Sequence, residues 1–147
     1  MQPLVPEDYQ RFIGSETPMV SPSELPSWIL YEDDAVIAVN KPGWLVCHPS
    51  KNGPLSSLVG AIKQRLGVER IHLASRLDRE TSGVVLIAKH RWAAGQYQKA
   101  IQERRVRKTY WVWLIGRLET AVDVNQPLAR DLESAVYIKQ TVRSSRS

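Results

Sequence analysis

Short apolar runs separated by turn residues make up the first two thirds of the chain. Residues 28–31 and 35–40 are two such runs, and the acidic triplet at 32–34 divides them, which predicts two strands joined by a turn. Residues 44–46 predict a further short strand after Pro42 and Gly43. Residues 84–88 are five consecutive apolar residues that follow Thr-Ser-Gly, a pattern typical of a buried strand entered from a tight turn.

Two segments with helical spacing lie between and after these strands. Residues 57–66 place their apolar side chains on one helical face, with Ser57 as the N-cap and Gly67 as the stop signal. Residues 91–105 repeat their apolar positions near helical spacing and predict a second amphipathic helix, although Gly95 weakens the pattern. We therefore expect two helices that flank the sheet.

The last third of the chain alternates in a way that favours strands. Residues 108–117 are rich in Tyr, Trp, Val and Ile, which predicts a strand with an aromatic side chain on each face. Residues 119–131 are polar and predict a long loop, and residues 134–142 predict a final strand. The fold class is accordingly α+β, with a mixed, mainly antiparallel sheet and flanking helices.

The composition is that of one small domain. The chain has 147 residues, of which 43% are hydrophobic, and this suffices for a single core. Residues 1–26 hold several prolines and no sustained period, so we expect an extended arm there. Residues 27–142 form the predicted folded domain, and the polar residues 143–147 form a predicted disordered tail.

Charge and cysteine usage narrow the function classes. The net charge of +5 suits an anionic partner. No apolar run is long enough to span a membrane, and we expect no membrane partner. The lone Cys47 and three scattered histidines show no metal-ligand spacing, so we expect no metal. An unpaired cysteine also fits a reducing compartment, and we expect a cytoplasmic protein.

A basic cluster precedes the aromatic stretch and is a candidate RNA-binding surface, because cations hold phosphates and aromatic rings stack on bases. The alternative is a solvated helix end whose cations complement the helix dipole. The cluster consists of Arg104, Arg105, Arg107 and Lys108.

The stretch 74–89 carries the strongest candidate chemistry. It begins with a charged segment in which Asp78 stands between Arg76 and Arg79. Cations on either side of a carboxylate favour its ionised form. An ionised Asp there can serve as a nucleophile, as a general base, or as a salt-bridge anchor for the loop. The residues alone leave these three roles open.

The run RLDRETSG, preceded by Asn40-Lys41-Pro42 and followed by an apolar strand, resembles the RluA-like family of pseudouridine synthases. The resemblance implies that Asp78 is the catalytic nucleophile and that Arg76 helps to displace the target base. It also implies that Tyr110, in a Lys-x-Tyr sequence, stacks on that base. Position 75, often His in this family, is Ser75 here. The segment that holds Lys41 is mainly architectural in the family, and Lys41 is a candidate to face RNA.

The implied activity is the isomerisation of uridine to pseudouridine in structured RNA, either a ribosomal or a transfer RNA stem-loop, without a cofactor. No DNA partner is expected. The family's later Gly-Arg-Thr-His-Gln-type element does not occur, so we expect the front part of such a catalytic domain, incomplete and of uncertain activity. Two alternatives stay open: an RNA-binding fragment that does not turn over, and a structural fragment without a partner.

Overall fold

The structure, a computed structural model, describes residues 17–48, 52–134 and 139–142. The chain divides into two units, at residues 1–108 and 109–147. The predicted disordered tail at 143–147 lies outside the described residues, as does the greater part of the predicted N-terminal arm. Neither helix among the described residues is long and apolar enough to cross a membrane.

The first unit is a four-stranded antiparallel sheet in the order β1-β2-β4-β3. Its strands are β1 (Ile29–Glu32), β2 (Val36–Lys41), β3 (His72–Leu73) and β4 (Gly83–Ala88). The central pair places Ile37 opposite Ile87. Residues Val36 to Val39 are all buried, and a helix packs on each face of the sheet. This confirms the predicted α+β class.

Helix α1 (Leu58–Leu66) covers one face of the sheet. The Ser57 side chain accepts a hydrogen bond from the Gly60 amide at 3.1 Å, and Gly67 ends the helix with φ 65°. Both predicted helix signals are therefore confirmed. Gly60 itself has a packing reason, since a Cβ there would lie 1.9 Å from the Pro54 carbonyl oxygen, and backbone cannot yield that far.

Helix α2 (Arg91–Gln102) packs on the opposite face through Ala93 and Ala94, which contact Ala88 of β4. It ends three residues earlier than predicted. Arg104 adopts the left-handed conformation with φ 53°, and a right-handed helix cannot continue through such a residue.

The main core lies between β2, β4 and α1, and two residues of the predicted arm belong to it. Val20 and Leu25 are 1% and 2% exposed, and the Val20 amide donates to the Leu55 carbonyl at 2.8 Å. A 3-10 helix at Leu25–Trp28 leads into β1. A second one, at Pro54–Ser56, precedes α1. The described part of the arm is thus packed against the sheet rather than extended from it.

One predicted strand of the first unit is reduced to a single bridge. Residues 44–46 do not form a strand, and only Val46 pairs, in parallel, with Ser57. The carbonyls of this segment have another use. Those of Val46 and Cys47 accept hydrogen bonds from the amides of Leu58 and Val59, at 2.9 and 3.1 Å. The segment satisfies the first amides of α1, which have no partner within the helix.

The second unit departs most from the sequence prediction. The strand predicted at 108–117 is not formed, and residues 103–127 have no regular secondary structure. A strand requires a neighbouring strand for its backbone groups, and alternation of side chains does not supply one. The regular structure of this unit is a two-stranded antiparallel sheet of β5 (Leu128–Arg130) and β6 (Gln140–Val142).

Strand β5 lies inside the predicted 119–131 loop, so that part of the loop prediction is wrong. Strand β6 confirms the end of the strand predicted at 134–142, and residues 135–138 of that strand lie outside the described residues. The two strands are short, and their exposed positions carry little of the hydrophobic signal that marks a strand in a sequence.

Candidate active site

The charged segment that carries Asp78 forms the loop between β3 and β4 at residues 74–82, here called the motif loop. The Thr81 amide donates to the Asp78 carbonyl at 3.2 Å and closes a turn around Arg79 and Glu80. Gly83 then opens β4 with φ 126°, a conformation that residues with a Cβ rarely adopt. The Thr-Ser-Gly run therefore produces the tight entry into β4 that its sequence predicts.

The side chain of Lys41 is hydrogen-bonded to the backbone of the motif loop. It is the last residue of β2 and is fully buried. Its ammonium group donates to the carbonyls of Pro42 at 3.0 Å, Leu45 at 2.8 Å and Arg79 at 3.0 Å. An ammonium group has three donors, and all three are used. The expectation that Lys41 faces RNA is therefore wrong, and its architectural role in this chain is to tie β2 to the motif loop.

The surroundings of Lys41 act on its charge in two directions. Burial lowers the pKa of Lys41, because removal from water disfavours the charged form. The nearby Cys47, Glu80 and Asp78 act in the opposite direction and raise that pKa. The net direction is downward, so burial outweighs the three neighbours. The three carbonyl acceptors satisfy the donors of the buried ammonium group, which a buried polar group requires.

Cys47 provides a second contact to the same loop. Its side chain is buried, with 4% exposed, and its thiol donates to the Leu77 carbonyl at 3.3 Å. The side chain of Leu77 packs against the main core. Cys47 is thus a core residue, and its hydrogen bond to the motif loop was not predicted from the sequence.

The loop is thus fixed through its backbone, while its charged side chains face outward. The carbonyls of Leu77, Asp78 and Arg79 accept from Cys47, Thr81 and Lys41 in turn. The side chains of Arg76, Asp78 and Arg79 are exposed. Within the described ranges, Asp78 forms no ion pair with either arginine. In the described structure, Asp78 therefore does not anchor this loop through an ion pair with Arg76 or Arg79.

The basic cluster follows the end of α2 within the first unit. Arg105 is held by Glu103, with 2.8 Å between Nε and Oε2, and Lys99 lies 3.8 Å from the other oxygen of the same carboxylate. All four members of the cluster are exposed. The pairing of Arg105 lends some support to the alternative of a solvated helix end, and it leaves RNA binding by the cluster a prediction.

Tyr110 belongs to the second unit and is 57% exposed. The residues around it are also exposed: Trp111, Trp113 and Ile115 are at or above 100% of their reference accessibility. Tyr110 is therefore not a core tyrosine in the described part of the chain. Its stacking role stays a prediction.

The sequence gives little indication of the contacts that Lys41 and Cys47 make with the motif loop. Lys41 ends β2 after the polar Asn40 and directly before Pro42, a pattern that does not indicate a buried side chain. Nothing in the spacing of Cys47 indicates its contact, since 30 residues separate it from Leu77. As for metals, the described ranges contain no group of three or more His, Cys, Asp or Glu side chains that could hold an ion.

Comparison with known proteins assigns the class. The family model for RNA pseudouridylate synthase matches residues 35–146, which is more than half of the chain. The chain therefore belongs to the RNA pseudouridylate synthase family, and the resemblance seen in the sequence is confirmed.

Similar proteins carry matching names. The chain is 40% identical over 96 residues to an uncharacterized RNA pseudouridine synthase of Mycoplasma pneumoniae, covering 65% of this chain and 31% of that protein. It is 32% identical over 114 residues to the ribosomal large subunit pseudouridine synthase D of Yersinia pestis, covering 75% and 35%. The chain thus spans about a third of the length of these relatives.

A solved structure supports the fold. Human RNA pseudouridylate synthase domain containing 1 superposes with a TM-score of 0.57 at 19% identity, over 80% of this chain and 45% of that one. At this identity the likeness concerns the fold alone.

Proposed function

We propose that this chain isomerises uridine to pseudouridine in structured RNA, with Asp78 as the nucleophile. Asp78 adds to the sugar or the base, the N-glycosidic bond breaks, the detached uracil rotates, and a C–C bond replaces the broken one. As the C–C bond forms, C5 of the uracil loses its proton, N1 takes up a proton, and the Asp78 carboxylate is released, so atoms and charge balance without a cofactor. The class of the chain supports the reaction, and the RLDRETSG run supports the choice of residue.

The observation that carries the proposal is the contrast between backbone and side chain at Asp78. A nucleophile must be held within a fraction of an ångström of its productive position and yet be reachable by the substrate. The carbonyls of residues 77, 78 and 79 are hydrogen-bonded, while the carboxylate of Asp78 is exposed. Such an arrangement suits a reacting group better than a structural one.

The neighbouring residues supply the proposed RNA contacts. A uridine inside a helix is unreachable, so it has to leave the stack before it reacts. We assign to Arg76 the filling of the vacated space and to Arg79 a contact with the RNA backbone. Tyr110 stacks on the extruded base, and the basic cluster at 104–108 binds phosphates. No cofactor enters this reaction.

The proposed substrate is a stem-loop of ribosomal or transfer RNA. The Yersinia pestis relative is named as a synthase of the large ribosomal subunit, which supports the ribosomal choice. A second candidate function is RNA binding without turnover. It is favoured by the exposure of the basic cluster, because exposed cations can bind phosphates without any reaction at Asp78. The cytoplasmic location stays a prediction.

The decisive experiment replaces Asp78→Asn, which keeps the size of the side chain and removes the carboxylate. We expect pseudouridine formation on ribosomal and transfer RNA to fall by at least about a thousandfold, since loss of a nucleophile removes the reaction path itself. RNA affinity should stay within about threefold, because one exposed carboxylate contributes little to phosphate binding. Turnover is measured by chemical mapping of pseudouridine in the treated RNA.

The matched control is Asp34→Asn, another exposed aspartate, which lies in the turn between β1 and β2. It should leave turnover and affinity unchanged. If Asp78→Asn retains normal turnover, the assignment of the nucleophile is wrong. If the unaltered chain binds stem-loop RNA and forms no pseudouridine, the RNA-binding candidate replaces the enzyme.

A further inference from the structure

The buried thiol of Cys47 contacts the loop that carries the proposed nucleophile, although the reaction uses no thiol. Cys47 is 4% exposed and forms no disulfide. Its sulfur lies 3.3 Å from the carbonyl oxygen of Leu77, the residue immediately before Asp78. A free cysteine in this position is either a small apolar residue of the core or a hydrogen-bond donor that orders the loop.

Two hydrogen bonds to backbone carbonyls flank the Cα of Asp78. The two peptide planes that flank a Cα set the direction of its Cα–Cβ bond, from which the side chain starts. The plane before Asp78 contains the Leu77 carbonyl, which accepts from Cys47. The plane after Asp78 contains its own carbonyl, which accepts from the Thr81 amide at 3.2 Å. Together these two bonds fix the backbone on both sides of the carboxylate.

Lys41 acts one step further along the loop. Its one hydrogen bond to the motif loop is to the Arg79 carbonyl, so it does not contact the peptide plane between Leu77 and Asp78. Lys41 and Cys47 are thus not interchangeable supports. The ammonium group holds the far side of the turn, and the thiol holds the peptide plane through which the chain enters Asp78.

We propose that Cys47 is a positioning residue for Asp78, and that its thiol hydrogen bond to the Leu77 carbonyl sets the direction of the carboxylate. The proposal rests on the proposed function only for its kinetic consequence. Its structural part, the ordering of the peptide plane before Asp78, stands on the geometry alone. Each part has its own measurement.

The experiment compares two substitutions of the same residue. Cys47→Val keeps an apolar side chain of similar volume and removes the donor. Cys47→Ser restores a donor in the form of a hydroxyl. The control Ile62→Val trims the same core cluster from α1, where the side chain lies far along the chain from the loop. All three variants are made in the full chain, and their unfolding midpoints are measured first.

The structural readout is amide hydrogen exchange across residues 78–83. For Cys47→Val we expect the Thr81 amide to exchange about tenfold faster, the change that loss of one buried hydrogen bond produces. Cys47→Ser should return exchange to within about threefold of the unaltered chain. Ile62→Val should lower the unfolding midpoint and leave exchange in the loop unchanged.

The kinetic readout is the single-turnover rate of pseudouridine formation at saturating RNA. Cys47→Val should lower this rate about tenfold with RNA affinity within twofold, and Cys47→Ser should recover most of it. Equal exchange in Cys47→Val and the unaltered chain would overturn the proposal, as would a serine variant as impaired as the valine variant. If the unaltered chain has no turnover, the proposed function fails, and the exchange comparison still decides the role of Cys47.

Discussion

Two stretches of this chain carry aromatic or charged candidate chemistry, and their surroundings differ. The motif loop at 74–82 is polar, and its backbone is fixed by hydrogen bonds from a buried lysine, a buried thiol and its own Thr81 amide. The stretch 110–115 is apolar at every position, and every one of its side chains is exposed. The polar loop is supported from the core, whereas the apolar stretch is not part of it.

The difference has a physical cause. A polar loop can be ordered by a few donors placed at its carbonyls, because each buried donor and acceptor needs a partner. Apolar side chains order a strand only when a second surface covers them, since the stabilisation scales with the area removed from water. Trp113 is 101% exposed and gains nothing of this kind. Hydrophobicity along the sequence therefore does not by itself identify the ordered region.

The largest expected effect concerns the anchor of the ordered loop. Lys41→Met removes the three donors that hold the Pro42, Leu45 and Arg79 carbonyls. Relief of the buried charge offsets part of the loss, because a desolvated ammonium is itself costly. We expect the free energy of unfolding to fall by about 3 kcal/mol, since three carbonyls lose charged donors. Chemical denaturation measures it.

Lys99→Met is the matched control for this substitution. Lys99 is 65% exposed, and its contact with Glu103 spans 3.8 Å. A loss below about 0.5 kcal/mol is expected, as for most exposed ion pairs. If both lysine variants behave alike, Lys41 does not anchor the loop, and the contrast between the two stretches loses its basis.

The second effect concerns the basic cluster that precedes the exposed stretch. If Arg107 binds a phosphate, Arg107→Gln should flatten the dependence of log affinity on log salt by about 0.7 to 0.9, because one fewer counterion is released. Arg105→Gln should have a smaller effect, since Arg105 is paired with Glu103 at 2.8 Å. Binding to a stem-loop RNA is titrated at several salt concentrations.

Glu103→Gln is the control that frees Arg105 without removing a cation. It should steepen the salt dependence slightly. An unchanged slope after neutralisation of the whole cluster would mean that these cations only solvate the end of α2, and that RNA contacts the chain elsewhere.

A smaller effect concerns the two salt bridges of Glu32 within the first unit. The Glu32 carboxylate contacts Lys89 at 2.8 Å and Arg65 at 2.9 Å, and these contacts hold the pKa of Glu32 below its usual range. A lowered folded-state pKa gives stability that is present above the ordinary Glu pKa and is lost as the pH falls through the folded value. Glu32→Gln should therefore cost below about 1 kcal/mol at pH 7 and less at low pH.

The measurement is the unfolding free energy of both proteins between about pH 7 and about pH 3. Glu69→Gln, at an exposed glutamate after α1, is the control for the loss of one surface carboxylate. A gap between the Glu32 variant and the unaltered chain that widens toward low pH would contradict the assigned sign.

The smallest effect tests the exposed stretch directly. Trp113→Ser should change the free energy of unfolding by less than about 0.5 kcal/mol, because an exposed side chain loses no packing. Trp28→Ser is the comparison, since Trp28 packs against the core and meets Trp44 edge to face, with 6.0 Å between ring centroids. It should cost about 3 kcal/mol. A large effect at Trp113 would show that this side chain is covered in solution.

Local signals explain where sequence reasoning succeeded in the fold. The N-cap at Ser57, the stop at Gly67 and the turn before Gly83 depend on neighbours within a few residues, and the structure has all three. The strand at 108–117 was predicted from the same kind of local pattern and is wrong. Its formation depends on a partner strand, which is not a local property.

Consecutive residues predicted β1, β2, β4 and both helices of the first unit, indicated the class of protein through the RLDRETSG run, and pointed to Asp78 as the candidate nucleophile. The tertiary structure alone decided what holds Asp78. Lys41 and Cys47 lie 38 and 30 residues from the motif-loop carbonyls that they contact, those of Arg79 and Leu77. Such contacts arise only when the sheet brings β2 and the segment after it beneath the loop, and no periodicity or spacing in a single sequence records that approach.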